Sequence, residues 1–270
     1  MLTRIQTGTT DWNNTQRLGA GELTFDEEAK ALRLHDNKTL GGFEVLGEQA
    51  YTPILGPGPI ELMYGDPQRG FYGRVSESDL ITADDLRTVV GMSTGTSQTD
   101  VTWLKFAYQE KVLFYPDKRI TITASWNLIY ELGLVYGTND VGLYPTANPT
   151  NQDTQITIGD WVYRVRLIKG ADTDPYTGGD TTNAGDSQTN SEWNQLIYPL
   201  MDGTWETANS FSYDIANGRD VWCQETAQGD TSSALLRGNT LSAGFIRGKT
   251  QSANSRSWRP VLELVGKAMV

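Results

Sequence analysis

GELTFDEEAKALRLHDNKTLGGFEV, residues 21–45, contains three short segments in which apolar and polar residues alternate. Side chains on a β-strand point alternately to its two faces, so each segment predicts a strand that buries one face. Residues 26–30 form a polar connection between the first two strands, and residues 36–42 form a wide turn before the third. Gly41 and Gly42 suit this turn because Gly adopts positive φ at low cost. The alternating apolar residues are Leu23, Phe25, Leu32, Leu34, Phe43 and Val45.

These three strands carry too little apolar surface to be stable as an isolated sheet. An apolar face without a partner in its own chain is typically covered by another subunit or domain. We therefore predict that residues 1–48 form a β module through which the chain assembles into a homotrimer. The six alternating apolar residues are the predicted trimer contacts.

The composition of the whole chain favours a protein rich in strands and loops. Only 38% of its 270 residues are hydrophobic, whereas eight are Trp, twelve are Tyr and 28 are Gly. This combination favours strands and turns over a helical bundle. No apolar run is long enough to span a bilayer, and the first residues lack the apolar core of a signal peptide. We therefore expect synthesis in the cytoplasm without membrane insertion.

The net charge and the rare residue types narrow the possible chemistry. A net charge of −11 repels phosphate groups, so we expect no nucleic-acid partner. Cys223 is the only cysteine and His35 is the only histidine. A single chain therefore lacks the residues for a disulfide, an all-cysteine or His-based zinc site, or a catalytic triad. We expect no cofactor, no metal and no catalytic residue, and we interpret Cys223 as a small buried thiol.

Composition also divides the chain into segments. Residues 49–100 are rich in Gly and Pro and predict a connecting segment of short strands and turns. Within it, residues 77–92 predict one or two helical turns, with Asp84 and Asp85 near the N-terminus, where the helix dipole favours acids. The polar stretch STGTSQTD ends this segment at residue 100. Residues 101–270 are then a larger domain.

The larger domain combines predicted hairpins with two short helices. Hairpins are predicted over residues 101–116 and 154–170, the second with the two-residue turn Gly159-Asp160. Helices are predicted to begin after the N-capping residues Ser125 and Ser191, each followed by apolar residues at helical spacing. The predicted fold class is therefore mainly β with α+β character.

Three motifs in the first 42 residues resemble a known family. They are IQTGTTDWNNTQ at residues 5–16, GELTFD at 21–26 and LRLHDNKTLGG at 32–42. In this order they resemble the N-terminal module of bacteriophage tail-fibre and receptor-binding proteins of the major tropism determinant type, where the pattern is roughly GELxxD…xxVHDGxTxGG. Residues 37–40 depart from that pattern at the turn. The resemblance implies a β-prism-like module for trimerisation and attachment to the virion.

The C-terminal region carries a second resemblance. Leu236-Arg237-Gly238 and Ser257-Trp258-Arg259-Pro260-Val261 are similar to the end of C-type-lectin-like domains of the formylglycine-generating-enzyme branch, although Asn239-Thr240 replace the usual Gly-Ser. The resemblance implies that residues 101–270 form a C-type-lectin-like domain with two short helices. Enzymes of that branch use a cysteine pair or bound copper. Because this chain has one thiol, the resemblance implies the fold and not the activity.

Two sets of acidic residues could support chemistry, and each has a simpler explanation. Calcium needs several carboxylate and carbonyl oxygens, and the aspartates of loop 171–190 match no EF-hand spacing, so a solvated loop is the simpler interpretation. A glycosidase needs two carboxyl groups at a defined separation, and Glu192, Glu206 and Glu225 show no recognisable spacing. We predict that the protein is not an enzyme. The loop aspartates are Asp172, Asp174, Asp180 and Asp186.

Candidate binding residues fall in segments 171–190 and 239–256, which the lectin-like resemblance implies lie at the pole opposite the ends of the domain. They combine forked donors, amides and flat aromatic faces that stack on sugars. For the neighbouring Arg237 and Arg259, burial as anchors of the fold is an alternative of equal weight. The candidate receptor-binding residues are Tyr176, Asn239, Phe245, Arg247, Asn254 and Arg256.

Together the two resemblances imply a phage virion appendage protein, made in the cytoplasm of the host bacterium and carried on the tail or capsid surface beside other virion proteins. The leading hypothesis is non-covalent adsorption to a glycan or protein of the host surface, strengthened by several copies on one particle. The alternative is a structural component, such as a capsid decoration, head fibre or tail or baseplate protein, without its own receptor. A depolymerising spike is a third hypothesis, disfavoured because such enzymes tend to be larger and more repetitive.

Overall fold

The computed structural model describes residues 6–16, 18, 20, 22–28, 31–35, 38–47, 55–178, 190–202, 204–205, 220–238, 244–253 and 256–268. The chain divides into two compact units, Met1–Ile54 and Leu55–Val270, which are described separately. Over the described residues the protein is mainly β, with open sheets and short helices. This confirms the predicted fold class.

The first unit is built on a small sheet. Its elements are β1 Gln6–Gly8, α1 Thr10–Thr15, β2 Leu23–Asp26, β3 Ala31–Leu34 and β4 Phe43–Gly47. The sheet order is β1-β2-β3-β4, and β2, β3 and β4 are antiparallel neighbours, as expected for the three predicted strands. Gly41 and Gly42 have φ of +78° and +63° in the turn before β4, which confirms why glycine is needed there.

The buried face of this sheet is polar. Thr24 and Asp26 are completely buried in β2. Thr10 of α1 donates a hydrogen bond to Asp26 Oδ1 at 2.9 Å, and His35 Nε2 lies 3.0 Å from Thr24 Oγ1. The single histidine therefore has a structural contact. Within one chain the buried face of β2 is the polar one, because α1 covers it, and the apolar face is the one predicted to contact another subunit.

The apolar face of the same strands is only partly buried. Among the predicted trimer contacts, Leu34 is 38% exposed and Leu23, Phe25 and Leu32 are half-buried. The side chains of Phe43 and Val45 lie outside the described residues. Homotrimer formation through this face stays a prediction.

Over its described residues, the second unit contains two larger sheets and three helical segments. Its strands are β5 Tyr64–Asp66, β6 Arg69–Ser76, β7 Thr96–Ser97, β8 Thr102–Tyr108, β9 Lys111–Pro116, β10 Thr121–Ile122, β11 Gln155–Ile158, β12 Trp161–Arg166, β13 Asp220–Ala227, β14 Asp230–Arg237, β15 Gly244–Gly248, β16 Arg256–Trp258 and β17 Val261–Lys267. The helices are α2 Ala83–Val89, α3 Trp126–Glu131 and α4 Tyr198–Met201, and α4 continues a π-helical turn, Trp193–Ile197. The sheet orders are β11-β12-β17-β9-β8-β6-β5 and β15-β14-β13-β16-β10-β7.

The predicted hairpins are present. β8 and β9 pair along their length, and Gln109 and Glu110 adopt positive φ at the turn between them. β11 and β12 pair around Gly159-Asp160, with Gly159 at φ +55°. The closing strand β17 lies between β12 and β9. The closing strand therefore lies one strand away from β8.

The helices begin at the predicted caps. Ser125 Oγ accepts the Leu128 N–H at 3.2 Å, and Ser191 Oγ accepts the Asn194 N–H at 3.2 Å. Gly133, at φ +74°, follows α3. Asp84 and Asp85 lie in the first turn of α2, as predicted. Local hydrogen-bonding side chains therefore set these ends.

The structure corrects the predicted domain boundary at residue 100. Residues 55–100 belong to the second unit, because β6 pairs with β8 within the seven-stranded sheet. Phe71, Val75 and Leu86 are buried in the core of that unit. The Gly- and Pro-rich composition predicted a separate connecting segment because it does not reveal this long-range pairing.

Apolar clusters cover both faces of the seven-stranded sheet. Trp103 of β8 packs with residues of α2 and α3 in one cluster. Leu104, its neighbour on the opposite face, packs with Trp193 and Leu196 of the π-helical turn in the other. The six-stranded sheet contributes to both clusters, with Trp222 in the first and Cys223 in the second. Together these clusters hold the strands that position the candidate site.

Candidate receptor-binding surface

Two strands of the six-stranded sheet carry three of the predicted binding residues. Phe245 and Arg247 lie on the edge strand β15, and Arg256 begins β16. Asn239 and Asn254 lie outside the described residues. The structure therefore tests the placement of four of the six predicted residues.

The register of the sheet brings these residues to one face. Phe245 pairs with Leu236 of β14, and Leu236 pairs with Trp222 of β13. Asp220, two residues before Trp222, pairs with Arg256 across the parallel β13–β16 contact. Because side chains alternate along a strand, residues two apart share a face. The segments are distant in sequence, but the sheet makes them neighbours on a face whose Trp222, Leu236 and Phe245 belong to the first apolar cluster. Arg247 and Arg256 on this face are half-buried.

Phe245 supports Arg247. The guanidinium carbon of Arg247 lies 5.5 Å from the centre of the Phe245 ring, a cation–π distance. Arg247 Nη1 also donates to the Ile246 carbonyl at 2.6 Å. Phe245 is buried and Arg247 is half-buried. The Phe245 ring therefore fixes the position of the Arg247 guanidinium. The ring is mostly covered by this guanidinium and by the core.

Asp220 connects the two arginines. Its Oδ2 lies 3.6 Å from Arg256 Nη1. Burial raises the pKa of the Asp220 carboxyl to about 6, although Arg256 and Arg247 act in the opposite direction. Burial also lowers the pKa of Arg256, with Asp220 opposing that change. The sequence analysis did not identify Asp220, because only strand pairing places it beside the predicted arginines.

Lys249 continues this line of residues beyond the end of β15. Its Nζ lies 3.9 Å from the centre of the Trp126 ring and 5.9 Å from that of Tyr144. Burial lowers the pKa of Lys249 to about 8, with Asp174 and Asp230 acting in the opposite direction. We refer to Phe245, Arg247, Lys249, Arg256 and Asp220 as the β15 surface, in which Arg247 and Arg256 are half-buried and the other three residues are buried.

A loop beside Lys249 adds exposed apolar side chains. Leu143 is 68% exposed, and Val141 is also exposed. Asp140 Oδ1 accepts hydrogen bonds from Thr138 Oγ1 at 2.6 Å and from the Gly142 N–H at 2.8 Å. Loops with fixed backbones are common carriers of recognition residues. The sequence signal for this loop is an aspartate two residues before a glycine, Asp140 and Gly142.

Tyr176 is a correction to the predicted set. It is only 1% exposed, and its backbone forms a bridge to β13 at Ala227. The Tyr176 N–H donates to the Thr226 carbonyl at 2.8 Å, and its carbonyl accepts the Gln228 N–H at 2.9 Å. The start of the predicted surface loop is therefore fastened to the sheet, and Tyr176 lies in the interior.

Arg237 and Arg259 are completely buried. Arg237 Nε donates to the Gly170 carbonyl at 2.9 Å, and Arg259 Nη2 donates to the Asp117 carbonyl. The Arg259 guanidinium also lies 5.4 Å from the centre of the Tyr115 ring. These contacts match the alternative in which both arginines anchor the fold, with backbone carbonyls as acceptors.

The described acidic residues have structural contacts. Asp172 accepts the Asn190 N–H at 3.0 Å, and Asp174 accepts the Thr226 N–H at 2.9 Å, whereas Asp180 and Asp186 lie outside the described residues. Among the residues that the structure describes, no group of three or more His, Cys, Asp or Glu side chains is arranged to hold a metal ion. The same part of the chain contains no helix long and apolar enough to cross a membrane.

Of the other residues weighed for catalysis, those that the structure describes are buried. Glu192 pairs with Arg166, and Glu206 lies outside the described residues. Burial raises the pKa of Glu225 to about 8, while the Gly170 N–H acts in the opposite direction. Cys223 is fully buried, and burial raises the pKa of its thiol, which disfavours the reactive thiolate.

A scan against protein-family models gave no match, and a search of curated proteins gave none. Among solved structures, the chain is similar to the U1, M1 and P3c variants of Major Tropism Determinant. The identities are 12%, 12% and 13%, with TM-scores of 0.19, 0.19 and 0.20. Each alignment covers 97% of this chain, and 100%, 99% and 99% of the respective structures. At TM-scores this low the superposition carries no argument about fold or function.

Proposed function

We propose that the chain is a bacteriophage virion appendage protein that adsorbs non-covalently to a glycan or protein of the host surface, and that it is not an enzyme. The motif resemblances at residues 5–42 and 236–261 support the class of protein. The observation that carries the proposed activity is the β15 surface, where residues distant in sequence form one face.

The chemistry of the β15 surface suits recognition. Arg247 and Arg256 present forked donors, which can form paired hydrogen bonds to sugar hydroxyls or carboxylates. Phe245 fixes the orientation of Arg247, so less side-chain entropy is lost when a ligand binds. The neighbouring Leu143 offers exposed apolar area, which contributes to affinity when it leaves water. Guanidinium groups beside an apolar side chain are a common composition for binding sites.

The first unit supplies copy number in this proposal. A homotrimer formed through the partly exposed apolar face of β2 and β3 would present three β15 surfaces on one appendage. Several weak contacts on one particle then bind together, so a modest affinity per site is sufficient for adsorption.

The proposal is tested by adsorption of virions to the bacterium on which the phage is propagated. Arg247→Ala and Arg256→Ala virions are compared with Lys267→Ala virions, because Lys267 likewise lies over an aromatic ring, that of Trp161, but on β17. We expect at least one of the first two changes to reduce adsorption about tenfold, a loss of about 1.4 kcal/mol, and the control to adsorb normally. Normal adsorption by both arginine variants would contradict the proposal.

One observation favours the structural alternative. A short run at the start of the second unit exposes several large apolar side chains, as surfaces for protein–protein assembly do. If cryo-electron microscopy of the virion finds both this run and the β15 surface covered by other virion proteins, the chain is a structural component. The exposed apolar residues are Leu55, Ile60, Leu62, Met63 and Tyr64.

A further inference from the structure

Asp220 lies where the parallel strands β13 and β16 begin. It is the first residue of β13 and lies directly opposite Arg256, the first residue of β16. Only 6% of its surface is exposed. Arg247 is close enough to lower the pKa of the Asp220 carboxyl. One buried carboxylate therefore pairs with Arg256 and is within electrostatic reach of Arg247.

The contacts of Asp220 tie it to its neighbours. Its carbonyl accepts the Ser257 hydroxyl at 3.0 Å, and Arg119 Nη1 lies 3.5 Å from that hydroxyl. Its Oδ2 pairs with Arg256, whereas Oδ1 is buried and accepts no hydrogen bond from the described part of the chain. Asp220 also contributes to raising the pKa of the Cys223 thiol on its own strand. The attraction between Asp220 and Arg256 is therefore mainly electrostatic.

We propose that Asp220 is a positioning residue that holds Arg256 and Arg247 in the arrangement that binds the receptor, so that adsorption requires the ionised carboxylate. This inference rests on the proposed function of the β15 surface. A neutral side chain at residue 220 removes the attraction for both guanidinium groups, and the ends of β13 and β16 lose the charge that orients Arg256.

The pH dependence has a defined sign. With a pKa of about 6, Asp220 is mostly ionised at about pH 7.5 and about nine-tenths protonated at about pH 5. The folded protein binds this proton more tightly than the unfolded chain, so this group's contribution to stability is lost as pH rises from its ordinary value of 3.8 towards 6. Acidification to pH 5 therefore breaks the ion pair without destabilising the fold through Asp220. A purely structural role predicts no loss of adsorption under these conditions.

The test compares adsorption of virions to cells of the propagating bacterium at about pH 7.5 and about pH 5. Wild-type adsorption should fall at least about threefold with a midpoint near pH 6, and this measurement needs no variant. Asp220→Asn adsorption should be low at both pH values, as in the protonated wild type. Asp160→Asn, at an exposed turn, should behave like the wild type. Adsorption by Asp220→Asn that equals the wild type at pH 7.5, or a wild-type profile flat across this range, overturns the inference.

A second measurement separates this inference from the proposed function. The carboxyl carbon of Asp220 is followed by NMR in the purified full chain, with its resonance assigned by its loss in Asp220→Asn. A titration midpoint near 6 is expected, and one near 4 overturns the inference whatever the adsorption shows. If Arg247→Ala and Arg256→Ala virions adsorb normally, the proposed function fails, and the positioning role for receptor binding fails with it. If those variants are defective while adsorption is independent of Asp220 ionisation, only the positioning role is overturned.

Discussion

Arg166 and Glu192 form a two-pronged ion pair in the interior of the second unit, with Nη1–Oε2 and Nη2–Oε1 distances of 2.8 and 2.7 Å. Arg166 Nε also donates to Glu263 Oε2 at 2.8 Å, and Glu192 accepts the Lys169 N–H at 3.0 Å. Burial acts to lower the pKa of Arg166, but Glu192 and Glu263 outweigh it, so the net shift is upward. The network joins β12 and β17 to the residue that precedes the π-helical turn.

Breaking this pair should destabilise the fold strongly. Arg166→Met leaves the buried Glu192 carboxylate without its guanidinium partner, whereas Glu263 keeps Arg164 and Lys111. The loss of one partner of a buried ion pair typically lowers the free energy of unfolding by about 3–5 kcal/mol. Chemical denaturation measures it. The matched control is Asp84→Asn, because its ion pair with Arg87 has a carboxylate that is 72% exposed. The control should change stability by less than about 0.5 kcal/mol. A similar small effect of Arg166→Met would contradict the structural role of the network.

Gly170 should tolerate no side chain. Its N–H donates to Glu225 Oε2 at 3.0 Å and its carbonyl accepts from Arg237, so the peptide is held from both sides. A Cβ at this position would lie 2.5 Å from Cys223 Sγ. We expect Gly170→Ala to lower the free energy of unfolding by about 2 kcal/mol or more, because a packed core resists added volume.

Two further variants make this prediction specific. Gly266→Ala is the control, because a Cβ there would meet no atom within 4 Å. Adding Cys223→Ala to Gly170→Ala should restore part of the lost stability, since it removes the closest contact. The cost of Gly170→Ala is measured in the wild type and again in the Cys223→Ala background. If the two losses of unfolding free energy are equal, the clash with Cys223 is the wrong explanation.

The buried carboxyl of Glu225 predicts a pH-dependent stability. Burial raises its pKa from 4.5 to about 8, so the folded protein binds the proton more tightly than the unfolded chain. The stability from the protonated form is complete below 4.5 and is lost as pH rises through 8. The side chain in Glu225→Gln is neutral at every pH, so this variant does not lose that stability. As the pH rises from 4.5 to 8, its free energy of unfolding should therefore increase by about 1 kcal/mol or more relative to that of the wild type. Urea unfolding at both pH values tests this, with the exposed Glu110→Gln as control. Parallel curves for the wild type and Glu225→Gln would refute it.

The local elements of the fold follow from short-range chemistry and were therefore predictable. Ser125 and Ser191 cap helices through hydrogen bonds to residues three positions ahead. Gly159-Asp160 closes a hairpin between neighbouring strands. In each case the residues that decide the structure are adjacent in sequence, so the pattern contains the information.

The site depends on pairings that the sequence does not show. Asp220 and Arg256 are neighbours only because β13 pairs with β16 in parallel. The lectin-like resemblance predicts Tyr176 in a binding loop at the surface, but Tyr176 forms a backbone bridge to β13 and is buried. The polar face of β2 is buried because α1, a separate element, covers it. Long-range pairing and coverage by other elements decide all three outcomes.

The apolar face of the first unit should control assembly. Phe25→Ser removes apolar area from β2 at the predicted trimer contact, so we expect the full chain to sediment as a monomer at micromolar concentration, whereas the wild type sediments as a trimer. Leu40→Ser is the control, because Leu40 is exposed in the turn before β4. A wild-type chain that sediments as a stable monomer would remove the basis of the trimer hypothesis.

The loop around Leu143 gives the last prediction. Asp140 is exposed, and Thr138 and Gly142 hydrogen bonds lower the pKa of its carboxyl. Asp140→Ala removes the acceptor that fixes the backbone beneath Val141 and Leu143, so these side chains must be ordered when the receptor binds. We expect adsorption to fall about threefold to tenfold, because ordering a loop on binding reduces affinity.

Asp140→Asn keeps an acceptor oxygen and should retain most of the adsorption, while Leu143→Ala should reproduce the loss by removing the apolar contact itself. Thermal unfolding of all three variants should match the wild type, because the loop residues are exposed and contribute little to the core. A loss of adsorption in Asp140→Ala with normal adsorption in Leu143→Ala would show that the loop acts through its backbone and not through Leu143. Normal adsorption in both would exclude the loop from the receptor-binding surface and restrict that surface to β15 and β16.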